Sequence, residues 1–189
     1  SVEYAAQLMN FGLGHLALFV CAALYLGWWF VFFYPRDEKP AGAKRAIGIA
    51  LLVGAVVAGV VYVWQIMTGV LSMHQAVPLM LIVLGCAALY VVLLGITYII
   101  LNRPVTTELA LIVGWLLIEL FFLDALASSH VIVGSSLLIL AIVTIAAFIV
   151  SVVCYCLYYA MKGKTAFIDG AVPLAVIGCV GLIFALLIH

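Results

Sequence analysis

The chain has 189 residues, of which 70% are hydrophobic and only 7% are charged, and its seven basic residues balance its seven acidic ones. A water-soluble domain is about half apolar and about one quarter charged, so this composition excludes a soluble enzyme or binding module. It also provides no excess of positive charge for a nucleic-acid partner. We therefore predict an integral membrane protein surrounded by the lipid bilayer.

Six apolar runs follow one another along the chain, each long enough to cross a hydrocarbon core of about 30 Å. They predict an all-helical bundle of six transmembrane spans that forms a single integral membrane domain over residues 1–189. A short polar tail, residues 1–10, is expected before the first span. The predicted spans cover residues 11–34, 46–68, 76–101, 106–127, 131–161 and 167–188.

The basic residues all fall in or beside the first, third and fifth of the predicted loops. They are Arg36, Lys39, Lys44, Arg45, Arg103, Lys162 and Lys164. Because lysine and arginine concentrate in cytoplasmic loops, these three loops are expected in the cytoplasm. Both termini are then expected outside, in a cell (cytoplasmic) membrane.

The second span carries small residues at every fourth position. Rows of this kind let helix backbones approach closely in a membrane, where dispersion forces hold helices together. They predict a packing face, either within the chain or between two copies in a homo-oligomer. The row consists of Ala46, Ala50, Gly54 and Ala58.

A five-residue sequence, Cys-Ala-Ala-Leu-Tyr, begins at Cys21 and again at Cys86. Both copies lie in odd-numbered spans that are followed by a basic loop, a pattern consistent with three tandem helical hairpins. Five matching residues also arise by chance in spans rich in alanine and leucine. Both interpretations stay open at this point.

The fourth span contains a carboxylic acid, Glu119, deep within an apolar run. An acid in hydrocarbon must be protonated, paired or in contact with water, so an intramembrane acid is a candidate functional residue. At 100° per residue, Glu108 and Trp115 lie within about 40° of Glu119 on the helix surface. Asp124 points in another direction, near the outer boundary.

The helical rise of 1.5 Å per residue places Glu119 about 20 Å from the cytoplasmic start of its span, in the outer half of the membrane. No lysine or arginine lies within a predicted span, so His15 is the best candidate partner for this carboxyl group, which we expect to be protonatable. We predict a polar cavity open to the outside and closed below by apolar and aromatic packing. Its pathway residues are Glu119, His15, Trp115, Gln65, Ser135 and Ser136, and its rim residues are His74, Asp124 and His130.

The fifth span carries a second polar stripe, which should face protein or water rather than lipid. It consists of Ser136, Thr144, Ser151, Tyr155 and Tyr158, which fall within about 100° of one another.

The function that these features favour is membrane transport of an ion or small solute, with proton coupling through Glu119. Loops this short leave no domain for soluble chemistry, so an enzyme is the less favoured class, and transport of this kind needs no cofactor. One alternative is a membrane subunit of a redox complex that binds haem, metal or quinone at the outer-half histidines. Haem ligation by two histidines needs both at one depth, whereas only His15 is clearly within a span. A second alternative is a non-catalytic scaffold.

Overall fold

The computed structural model describes residues 2–102, 107–130 and 134–188, and within these ranges it contains six helices and no strand. All six helices are long and apolar enough to cross a membrane. The predicted architecture, a multi-pass helical membrane protein, is therefore confirmed. The helices are α1 (Val2–Phe33), α2 (Ala43–Leu71), α3 (Leu79–Leu101), α4 (Thr107–Ser129), α5 (Ser135–Tyr158) and α6 (Gly163–Leu187).

The polar tail predicted before the first span is wrong, because α1 already begins at Val2. Residues 2–10 contain no proline or glycine that would interrupt a helix. Gln7 in this segment is buried, and its side-chain amide donates a hydrogen bond to the carbonyl oxygen of Ser72 at 3.2 Å. The start of α1 is thus held against the end of α2.

α1 and α2 pack closely as an antiparallel pair, and glycines bring their backbones together. A Cβ atom on Gly69 would lie 2.5 Å from the ring of Phe11, and one on Gly54 would lie 3.0 Å from Leu24. Gly54 therefore faces α1, whereas Ala46 and Ala50 in the same small-residue row are exposed. This face contributes to packing within the chain, and its role between two copies stays a prediction.

α4 is the most enclosed helix of the bundle. In its most apolar stretch 61% of the residues are buried, against 28% or less in each other helix. It packs against α3 on one side and α5 on the other, and it touches α2 over a short stretch. α1 in turn packs mainly against α2 and α6. A side chain in the middle of α4 is therefore surrounded by protein and not by lipid.

The ends of the helices define two sides of the bundle. The first and fifth loops carry Arg36, Lys39 and Lys162 at one end, which we call the basic side. Arg103 of the third loop lies outside the described residues, as does His189 at the C-terminus. The other end, which includes His74 and His130, is the opposite side.

Candidate functional site

The candidate site lies where α1, α2, α4 and α6 meet, and small residues allow this close approach. A Cβ atom on Gly181 of α6 would lie 2.9 Å from the backbone oxygen of His15, and one on Gly14 would lie 2.7 Å from the side chain of Ile66. Such contacts are possible only for glycine, which has no Cβ. They bring α2 and α6 against the turn of α1 that carries His15.

His15 and Glu119 form a buried pair between α1 and α4. The Nε2 atom of His15 lies 3.0 Å from Oε1 and 3.1 Å from Oε2 of Glu119. Neither side chain has any solvent-accessible surface. The predicted contact between these two residues is confirmed.

Tyr62 of α2 is the third member of this cluster. Its hydroxyl group donates a hydrogen bond of 2.7 Å to Oε1 of Glu119, and the residue is 4% exposed. The carboxyl group of Glu119 is thus contacted by two helices of the bundle, α1 through His15 and α2 through Tyr62. A phenol in the middle of a transmembrane helix needs a hydrogen-bond partner, and this was the one sequence signal that pointed to Tyr62.

The protons of this cluster follow from its geometry. The Nδ1 atom of His15 lies 2.8 Å from the backbone oxygen of Phe11, and a carbonyl oxygen only accepts, so Nδ1 carries a hydrogen. One further proton lies between Nε2 and the carboxyl group of Glu119. It belongs either to the imidazole, giving an ion pair, or to the carboxyl group, giving two neutral groups. In both forms the pair has no net charge.

Aromatic rings enclose the pair towards the opposite side. The ring of His15 lies 4.6 Å from that of Phe122 and 5.2 Å from that of Phe184, measured between centroids. Phe11 contacts Phe122 edge to face, and all three phenylalanines are fully buried. The sequence predicted a polar cavity open to the outside around Glu119. In this structure the site is closed instead, because no solvent-accessible surface reaches His15 or Glu119.

The other predicted pathway residues are only partly gathered here. Trp115 lies one turn below Glu119 on α4 and is buried, and its indole nitrogen has no hydrogen-bond partner. Gln65 is half-buried on α2, next to the turn that carries Tyr62. Ser135 and Ser136 are exposed in the first turn of α5, away from the pair.

The predicted rim residues all lie on the opposite side. His74 is exposed in the connection between α2 and α3, and His130 is exposed just after α4 with a positive φ of 56°. Asp124 has a structural contact, since both of its carboxylate oxygens lie 3.4 Å from the backbone nitrogen of Val77. It ties the end of α4 to the connection before α3.

A second group of polar side chains lies near the basic side. The hydroxyl of Tyr155 donates to Glu108 at 3.0 Å and lies 2.8 Å from the hydroxyl of Tyr159. On the neighbouring face of α5, the thiol of Cys154 lies within hydrogen-bonding reach of Asp169 on α6. Asp169 is 8% exposed, and one of its carboxyl oxygens has no partner. The sequence stripe on α5 did not indicate Asp169.

No family model matches the chain, and no curated protein or solved structure is similar enough to count as a match. The chemistry of the site therefore has to be argued from its own residues. Both ring nitrogens of His15 are engaged in hydrogen bonds, which leaves neither of them for a haem iron in this arrangement. Within the described ranges, no group of three or more His, Cys, Asp or Glu side chains is placed to hold a metal ion.

Proposed function

We propose that this protein is a transporter of an ion or small solute in which His15 and Glu119 take up and release a proton during the transport cycle. The observation that carries this proposal is their fully buried pair, which shares one proton and has no net charge, and which no other cationic side chain among the described residues contacts. An ionisable group at this depth costs free energy, and such groups in membrane proteins typically serve proton or ion pathways.

The position of Glu119 supports coupling between protonation and helix movement. The contact of α2 with α4 is short, whereas α1 packs extensively against α2 and α6. The hydrogen bonds of Glu119 to His15 and Tyr62 therefore cross the boundary between these helices and α4. Loss of the shared proton leaves a net negative charge at this boundary, on side chains that have no solvent-accessible surface. Movement that admits water then relieves the cost of that charge.

The enclosed pair corresponds to an occluded state in this proposal. Transporters of alternating-access type move one group of helices against another around a central site. Separation of α4 from α1 at the level of Phe122 would open the pair towards the opposite side. The outward polar cavity that the sequence predicts belongs to that second state.

The proposed setting is a cell membrane with both termini outside. The basic loops around Arg36 and Lys162 lie at one end of the bundle, and this common position supports the proposed orientation. The basic side would then be cytoplasmic, and the Phe11–Phe122 ring contact would lie between the pair and the exterior.

The test uses the purified protein in liposomes that contain a pH-sensitive dye. An imposed pH gradient is combined with a potassium diffusion potential, and a panel of salts and amino acids is added outside. We expect Glu119→Gln to abolish proton flux, because an amide cannot exchange a proton in this range. The matched control is Glu38→Gln, the same acid-to-amide change at an exposed position of the first loop, which should leave the flux unchanged. Wild-type proton flux in a folded Glu119→Gln variant would refute the proposal.

A further inference from the structure

Four buried side-chain atoms in the described residues have no hydrogen-bond partner within the protein. Three of them lie between the His15–Glu119 pair and the basic side. They are Nε1 of Trp115, Oγ of Ser151 and Oδ2 of Asp169, and the fourth is Oε1 of Gln7 near the opposite side. A buried polar atom without a partner is costly, and proteins commonly meet this need with internal water.

Two of these atoms, Nε1 of Trp115 and Oγ of Ser151, belong to α4 and α5, which pack against each other. The hydrogen bond from Tyr155 to Glu108 sets the register of the two helices. This hydrogen bond puts Tyr155 of α5 level with Glu108 of α4. The two helices run in opposite directions, so Thr144, eleven residues before Tyr155, is level with Glu119, eleven residues after Glu108. Ser151 lies between the levels of Thr144 and Tyr155. Both Thr144 and Ser151 are fully buried. The buried face of α5 therefore carries hydroxyl groups at Thr144 and Ser151, with the apolar side chains of Ala147 and Phe148 between them.

The depths of these groups form a series with regular intervals. Trp115 lies about 6 Å below Glu119 along α4, Ser151 about 5 Å below Trp115, and Tyr155 about 6 Å below Ser151. One water molecule with two hydrogen bonds of about 2.8 Å spans each interval. The indole of Trp115 also leans towards Ser151, because helix side chains tilt towards the N-terminus, which for α4 is the basic side.

The series leads to only one side of the bundle. Beside Tyr155 lies Glu108, an exposed carboxylate in the first turn of α4. Above the pair, the buried rings of Phe11, Phe122 and Phe184 offer no polar atom to a proton. Gln7 lies beyond those rings and donates to Ser72 instead.

We propose that Trp115 and Ser151 hold water molecules in a narrow passage through which the proton shared by His15 and Glu119 exchanges with the basic side. The role of this passage in proton exchange rests on the proposed function, whereas the presence of water at Trp115 and Ser151 can be tested without any transport assay. Release moves one proton from the pair to water, then through the hydroxyls of Ser151 and Tyr155 to the carboxylate of Glu108. The pair changes from neutral to −1 and Glu108 from −1 to neutral, so charge is conserved.

The residues of the passage have different chemical roles. The hydroxyl groups of Ser151 and Tyr155 each donate and accept hydrogen bonds, so they can pass a proton on. The indole of Trp115 only donates. It is a positioning residue, which fixes a water oxygen next to Glu119 and does not itself carry the proton.

The first test detects the water without any transport assay. The chain has four tryptophans, so protein labelled with ¹⁵N in the indole ring gives four indole signals in an NMR spectrum. The signal lost in Trp115→Phe identifies Trp115. We expect a cross-peak between its N–H and water, and exchange in D₂O that Ser151→Ala slows. The reference is Trp29, whose indole donates to the carbonyl oxygen of Phe167. An indole proton of Trp115 without water contact, which exchanges as slowly as helix-core amides, would overturn the proposal.

The second test measures proton flux in liposomes. Ser151→Ala and Trp115→Phe should each slow Glu119-dependent flux about fivefold, the effect on a rate of one lost neutral hydrogen bond. The matched controls are Thr68→Val, which removes a hydroxyl group at an exposed position of α2, and Trp64→Phe, which changes an exposed tryptophan. Both should retain the wild-type rate.

The outcomes separate the two proposals. Glu119-dependent flux that is unchanged in Ser151→Ala and Trp115→Phe contradicts the passage and leaves the transport proposal standing. Wild-type protein without Glu119-dependent flux contradicts the transport proposal, and the NMR measurement then decides whether water occupies the passage.

Discussion

The contact between His15 and Glu119 can be measured with a double-mutant cycle. The variants are His15→Leu, Glu119→Leu and the protein with both changes. Leucine is close in size to both side chains and forms no hydrogen bond, so each single change removes the contact without creating another. Ile99→Ala, at an exposed position on α3, is combined with Glu119→Leu as a control for additivity.

The expected free energies follow from the hydrogen bonds of the cluster. Glu119→Leu removes the acceptor for both the Tyr62 hydroxyl and the His15 ring. His15→Leu leaves a buried carboxyl group with Tyr62 as its remaining donor. Each single change should lower the free energy of unfolding by about 3 to 5 kcal/mol. The double variant leaves only the Tyr62 hydroxyl without a partner, at a cost of about 1 to 3 kcal/mol.

The coupling energy also reports where the shared proton lies. Ordinary polar pairs between transmembrane helices couple by at most about 1.7 kcal/mol. A coupling energy of about 2 kcal/mol or more therefore indicates a proton on His15 and an ion pair, whereas a smaller value indicates a neutral carboxyl group. We expect the larger value, because the costs of the two single changes together exceed the cost expected for the double variant by more than about 2 kcal/mol.

The assay is reversible unfolding in mixed micelles, followed by tryptophan fluorescence and circular dichroism. The free energy of unfolding of each variant is obtained from its titration with denaturing detergent. The losses of unfolding free energy in Ile99→Ala and Glu119→Leu should add to within about 0.5 kcal/mol of the loss in their combination. If the losses in His15→Leu and Glu119→Leu also add in this way, the two residues do not interact and the site is refuted.

Two further predictions test the packing and the orientation. Gly181→Ala should lower the free energy of unfolding by about 1 to 3 kcal/mol, because its Cβ would meet the backbone of His15. At Gly95 a Cβ meets no atom within 4 Å, so Gly95→Ala should leave the free energy of unfolding unchanged or raise it by up to about 1 kcal/mol. Thermal unfolding of the two variants checks this, and equal stabilities would contradict the close contact of α6 with α1. In a variant without its native cysteines, an impermeant thiol reagent added to intact cells should label a cysteine at position 74 and not one at position 39. The reverse labelling would overturn the proposed orientation.

The sequence predicted the number of helices well and their ends less well. Apolar runs of about twenty residues define membrane spans directly, because backbone groups in hydrocarbon must be satisfied within the helix. The polar residues Gln7 and Asn10 suggested a tail before the first span, but a polar side chain does not end a helix. Only the packing of Gln7 against Ser72 shows why α1 extends this far.

The sequence predicted the depth of the site residues in the membrane better than the direction in which their side chains point from each helix. Counting residues from the basic loops placed His15 and Glu119 in the same outer half of the membrane, and the structure brings them together. The same count selected Gln65, although Tyr62 is the residue of α2 that contacts the carboxyl group. Three residues correspond to about 60° around a helix, and which face meets α4 depends on contacts along the whole helix.

The predicted cavity is closed in this structure for a related reason. Polar residues at one depth show that water would be tolerated there, but apolar residues decide whether it enters. Phe11, Phe122 and Phe184 close the space around His15. In the sequence they are indistinguishable from the phenylalanines that face lipid, so only the three-dimensional packing identifies them.

A purely structural role would leave much of this arrangement without a physical reason. Apolar residues of similar size often stabilise a protein as well as a buried ion pair does, so packing alone does not require His15 and Glu119. Packing alone also does not require unpartnered polar atoms at Trp115 and Ser151, each of which costs stability unless water contacts it. These costs have a common explanation if the pair exchanges its proton through water on the basic side. The scaffold hypothesis predicts instead that leucine at positions 15 and 119, with alanine at position 151, yields a fully functional protein that loses only the stability due to the unpartnered Tyr62 hydroxyl. That combination is therefore the variant in which the two hypotheses differ most.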